Sequence, residues 1–90
     1  MILCAALKLN DDLVIPCYRH CDGYESLYKL DLKANDYNIV EGFITIKGIF
    51  LDRTAAFIDA INCGQLSAVT RQYKQDNFET ELYSEDLYWL

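Results

Sequence analysis

Arg19, His20 and Asp22 come closest in type and spacing to a group that could do chemistry. They stand where an apolar run ends and an amphipathic one begins. Such a corner offers the unpaired N–H groups of a helix start, which attract phosphate or carboxylate. An arginine adds a planar, two-pronged donor for the same anions. His20 is the single histidine of the chain, and its side-chain type titrates near neutrality. The chemistry this implies is anion or nucleotide binding. The competing reading is a local ion pair and cap that fixes the corner. Cys17 and Cys21 place thiols on either side of His20. Catalytic cysteine and histidine normally come from different elements and need a third, orienting group, so no enzyme is expected. Zinc held by Cys17, His20, Cys21 and Cys63 is conceivable by ligand type, but the spacing fits no standard zinc pattern. No metal or other cofactor is expected, and the thiols read as small buried apolar groups. There is no glycine-rich phosphate loop and no His-Glu-x-x-His. The adjacent acids Glu85 and Asp86 read as solvated or as a contact surface rather than a catalytic pair.

The elements that must position these residues follow from the pattern. Ile2 to Leu9 is apolar and reads as a strand buried on at least one face. The run has no basic leader and Lys8 interrupts it, so it reads as neither an export signal nor a membrane span. The cytoplasm is then the expected compartment, with reduced thiols. Leu13 to Tyr18 is a second strand, and Pro16 favours an edge position. Asp22-Gly23-Tyr24-Glu25 has the spacing of a capping box, with Tyr24, Leu27 and Tyr28 on one face of the helix that follows. Gly42–Ile46 and Ile49–Leu51 flank Lys47-Gly48 as a second hairpin. Asp52 caps a helix over Arg53–Cys63, with Phe57, Ile58 and Ile61 toward the sheet, and Gly64 suits the residue just past its end. The prediction is an α+β single domain over 1–90. Its core at 1–64 is ββαββα, and 65–90 is an acidic C-terminal arm, loop-like to residue 81, that docks on the domain or on a neighbouring subunit.

Ninety residues bury only a small core. Fourteen acids against eight bases give a net charge of −6. The imbalance is local, because Asp76, Glu79, Glu81, Glu85 and Asp86 lie in a stretch without Lys or Arg. No basic stripe for direct nucleic-acid binding is present, and nothing favours an anionic membrane. Seven tyrosines, four phenylalanines and Trp89 exceed what so small a core can hold, which points to a homo-oligomer or an aromatic contact surface.

Three stretches carry a resemblance that spans nearly the whole chain. They are Arg19-His20-x-Asp22; Gly42-Phe43-Ile44-Thr45-x-x-Gly48-x-Phe50-x-x-Arg53-x-x-Ala56 continuing to Gly64-Gln65; and Leu82-Tyr83-Ser84-Glu85-Asp86-Leu87-Tyr88. With these the sequence resembles a set of small phage and prophage proteins of unassigned activity. It departs from that set at Cys17, at Gly23 and at Trp89-Leu90. The resemblance implies a phage origin and an α+β fold, and small phage proteins commonly counter host defence. Arg19, His20, Phe43, Arg53 and Gln65 together suit a pocket for a phosphorylated planar ligand. The first expectation is therefore a binding protein that sequesters a nucleotide-derived immune signal. Arg19 and Arg53 would meet phosphates, His20 and Gln65 would donate hydrogen bonds, and Phe43 would stack on the base. The alternative is an acidic protein-interaction inhibitor of a host defence complex, acting through Glu85, Asp86 and Tyr88.

Overall fold

A computed structural model of the chain describes residues 1–10 and 13–87. Its elements are β1 (Ile2–Leu9), β2 (Leu13–Cys17), α1 (His20–Lys29), β3 (Ile39–Thr45), β4 (Phe50–Asp52), α2 (Arg53–Asn62) and α3 (Ala68–Asp76), with 3-10 turns at Ala34–Asp36 and Ser84–Asp86. The strands form one antiparallel sheet in the order β2-β1-β3-β4. Strand β1 is therefore central, and Pro16 sits on an edge strand, where its missing N–H leaves no ladder bond unmade. This is the ββαββα core expected from the pattern.

Strand alternation decides which residues meet the helices. Ala5 lies between Cys17 and Phe43, and Leu7 between Ile15 and Glu41. Ala5, Leu7 and Leu9 are fully buried. One cluster joins Ile2, Ala5, Phe43, Ala56, Ala60, Leu66 and Leu82. A second joins Leu7, Leu9 and Leu27. A shift of register between Ile2 and Cys4 turns Ile2 to the same side. The opposite face carries Cys4, Ala6, Lys8, Val14, Pro16, Val40, Gly42, Ile44 and Phe50, none of which belongs to either cluster.

Several local expectations are corrected. Helix α1 starts at His20, so Asp22 is its third residue and its carboxylate accepts from the Arg19 N–H at 3.1 Å. The capping pair is thus Arg19 and Asp22, not Asp22 and Glu25. The buried stripe of α1 is His20, Gly23 and Leu27, while Tyr28 is exposed. In α2 the sheet-facing stripe is Ala56 and Ala60. Their small side chains bring the helix close enough that Ile58 and Ile61 are turned out to solvent. The caps of α2 are as expected: Asp52 accepts from the Ala55 N–H at 2.8 Å, and Gly64 has φ +69°.

The largest departure is in the arm. Residues 65–81 include α3, which the sequence leaves as loop. Ser67 caps it by accepting from the Thr70 N–H at 3.0 Å. The residue it buries is Lys74, so no apolar periodicity announces it. Beyond α3 the chain docks on the core. Leu82 is fully buried, and its N–H donates to the Arg53 carbonyl at 3.0 Å. No described helix is long and apolar enough to cross a membrane.

Candidate functional site

The corner that holds Arg19 and His20 is built as a closed network. The start of α1 and the start of α2 meet over β3, because both follow strands of the same sheet. Within the corner, His20 Nε2 donates to the Gly42 carbonyl at 2.8 Å. A carbonyl only accepts, so the other ring nitrogen, Nδ1, carries the lone pair. It faces the Arg53 guanidinium at 3.4 Å. Arg53 pairs with Glu41 Oε1, and Tyr24 donates to Glu41 Oε2 at 3.0 Å. Burial, and next the Glu41 carboxylate, push the Tyr24 phenol above its ordinary pKa. The Arg53 guanidinium also lies over the Tyr83 ring at 4.9 Å, and its Nε–H is buried with no acceptor among the described residues.

The five residues assigned to a ligand are thus placed as follows. His20 and Arg53 are adjacent and engaged with each other and with the backbone. Phe43 is 0% exposed and meets the His20 ring edge-on at 5.3 Å; no face of it is open for a base. Gln65 is tied at both ends of its amide to Ile2, accepting from the N–H at 2.6 Å and donating to the carbonyl at 2.8 Å. That tie pins the first strand to the loop after α2. Arg19 is exposed, with its guanidinium 5.8 Å from the Tyr18 ring. Of the set, only Arg19 is exposed to solvent.

The arm residues divide in a similar way. Glu85 is exposed. Asp86 folds inward. Its carboxylate accepts from the Tyr83 N–H and pairs with Lys74 Nζ, both at 2.8 Å. Lys74 is only 2% exposed. It also donates to the Glu81 carbonyl at 2.9 Å and lies over the rings of Tyr83 and Phe57. Tyr88 lies outside the described residues. The thiols are scattered: Cys21 and Cys63 are exposed, Cys4 and Cys17 half-buried. Burial pushes the Cys17 thiol up to about 11, which leaves little of the thiolate that a nucleophile requires. No group of three metal-ligating side chains occurs among the described residues.

An open groove lies elsewhere, between α2 and α3. Its volume is about 600 Å³, and it is lined by Phe57, Ile61, Ala68, Arg71, Gln75 and Phe78 among others. None of the five corner residues lines it. Phe78 is 92% exposed, and its φ of +56° holds the chain in a left-handed turn past the end of α3. Val69 and Tyr73 form an exposed stripe beside the groove. The Arg71 guanidinium has no described partner, while Glu79 stands on the groove wall. Sequence reasoning missed this site because its helix was not recognised. The available signal was the pair Phe57 and Ile61, four residues apart on α2 and one turn-face away from Ala56 and Ala60.

Neither the curated proteins nor the solved structures returned a match. The family model described as phage T4 y16D protein matches residues 1–88, nearly the whole chain. The chain therefore belongs to the phage T4 y16D protein family.

Proposed function

We propose that the chain is a non-catalytic binding protein that docks on another protein through the groove between α2 and α3. One observation carries the reading: a concave apolar surface stands open there, with Phe78 almost fully exposed at its rim. An exposed apolar patch rimmed by polar residues is the ordinary mark of a protein contact. In the corner, by contrast, His20, Glu41, Tyr24 and the Arg53 terminal nitrogen bond to one another or to the backbone, which leaves the buried Arg53 Nε–H and the exposed Arg19 as its open donors. Charge narrows the partner. Asp76, Glu81 and Glu85 are exposed, and Glu79 lies on the groove wall. Arg71 stands on the same wall as Glu79, so a partner segment that complements the site carries apolar side chains, Lys or Arg toward the exposed acids, and a carboxylate or carbonyl for Arg71. Proteins that grip nucleic acid present such segments, so a host defence complex is a fitting class of target for a phage inhibitor.

The test is capture of host proteins on immobilised chain, with two variants in parallel. Phe78→Asp and the combined Asp76→Asn, Glu79→Gln, Glu81→Gln variant should each lose the same captured species. Its retention should also weaken as salt rises from about 0.1 M to about 0.5 M. A species kept by both variants overturns the reading. Sequestration of a nucleotide signal remains the rival, with Arg19 as its exposed cation. It gains the day if cyclic or ADP-ribose-type nucleotides raise the melting temperature and Arg19→Ala abolishes the rise.

A further inference from the structure

We infer that the uncovered face of the sheet is a contact between two copies of this chain. The inference is independent of the groove and of its partner. The face consists of three rows set by the strand register. They are Cys4, Ile44 and Phe50; Pro16, Ala6, Gly42 and Asp52; and Val14, Lys8 and Val40. Leu3, Ile46 and Ile49 are exposed at one end and Leu13 at the other.

Two features select the occupant. The first is charge. Lys8 and Asp52, one of each sign, are the only charged residues in the three rows. Lys8 lies along the face with Nζ 5.5 Å from the Phe50 ring, and the Asp52 carboxylate accepts from the Ala55 N–H. The face therefore has no net charge to complement a nucleic acid or a strongly charged surface. The second is shape. The middle row is small, and a side chain on Gly42 would meet the Phe50 ring at 2.6 Å. The ring therefore lies down across Gly42, and the face is flat. A flat apolar sheet face suits another of its kind, packed about 10 Å away. This chain supplies one.

The size sets the strength. From strand spacing and rise, the four strands cover roughly 400 Å² in projection, and the exposed ends bring this to roughly 500 Å² per copy. Two copies then remove about 1,000 Å², the lower bound for a specific interface. The expected product is a reversible, concentration-dependent dimer, not an obligate one.

Sedimentation velocity on the full chain, from about 5 µM to about 500 µM, decides the matter. The mass should rise from 10.4 kDa toward twice that value. Val40→Glu and Ile49→Lys add opposite charges at exposed positions that the fold does not need. Each should weaken association at least about tenfold with an unchanged circular dichroism spectrum, whereas Phe78→Asp should leave it intact. A chain that stays at 10.4 kDa throughout overturns the inference. So does a dimer indifferent to both substitutions. Binding to neutral phosphatidylcholine vesicles, lost in Val40→Glu, would assign the face to a lipid surface instead.

Discussion

Lys74 is the residue whose surroundings say most about how the arm is held. A buried ammonium is tolerated only when paired and hydrogen-bonded, and Asp86, the Glu81 carbonyl and two aromatic rings meet that need. Lys74→Met leaves Asp86 with its carboxylate uncompensated. The expected loss is about 3 kcal/mol of unfolding free energy in urea, partly recovered in Lys74→Met with Asp86→Asn. Cys17 makes a second prediction at this scale. Its thiol is raised from 9.0 to about 11 in the fold, so the folded state favours the protonated form. That preference costs nothing below pH 9, where both states are protonated. Above it the unfolded chain ionises first, and stability falls as pH climbs through 11. Cys4 and Tyr24 shift the same way, so Cys17→Ala should flatten the alkaline decline without removing it. At pH 8, Cys21 and Cys63 should react with a thiol reagent well before Cys4 and Cys17. For the candidate ligand residues, composition was legible but role was not. Arginine, histidine and glutamine at strand and helix ends look alike whether they face a ligand or, as with Gln65 and Ile2, their own backbone.

Among elements, the sheet and the first two helices were legible because two local rules agree at each. Alternation and edge proline mark β1 and β2; Asp52 and Gly64 bracket α2. Helix α3 was not, because amphipathicity is read from apolar residues and here an ammonium occupies the inward position. Its independence from propensity alone is limited, so the cap matters. Ser67→Ala removes the acceptor for the Thr70 N–H and should cost about 1 kcal/mol, with amide exchange in 68–76 accelerating more than in β1. The β3–β4 pairing makes the opposite case, of a place with no tolerance. Gly42→Ala puts a methyl against the Leu51 carbonyl and the Phe50 ring. Overpacking of that kind should cost about 2 kcal/mol by chemical denaturation. Because the ring must lift, it should also disturb the flat face and weaken self-association.

For the molecule as a whole, charge and apolar surface are separated. The open sheet face has no net charge, and the acids of the arm stand near the groove on the α3 side. The proposed dimer and the proposed partner would thus use different surfaces, and pairing of two copies through the sheet would leave the acids of the arm away from the contact. The arm has one more consequence, which concerns timing during synthesis. Strand β1 precedes both of its partners: β2 begins four residues after it, but β3 only 30 residues after it, by the bounds Ile2–Leu9, Leu13–Cys17 and Ile39–Thr45. The cluster around Ala5 also needs Leu82 from the far end of the described chain. In a nascent polypeptide β1 therefore finds β2 and α1 early, while its other edge stays open until β3 emerges. The cluster around Ala5 closes last, because it needs Leu66 as well as Leu82. A ribosome stalled between these points would hold a paired sheet whose second core still lacks its final side chains.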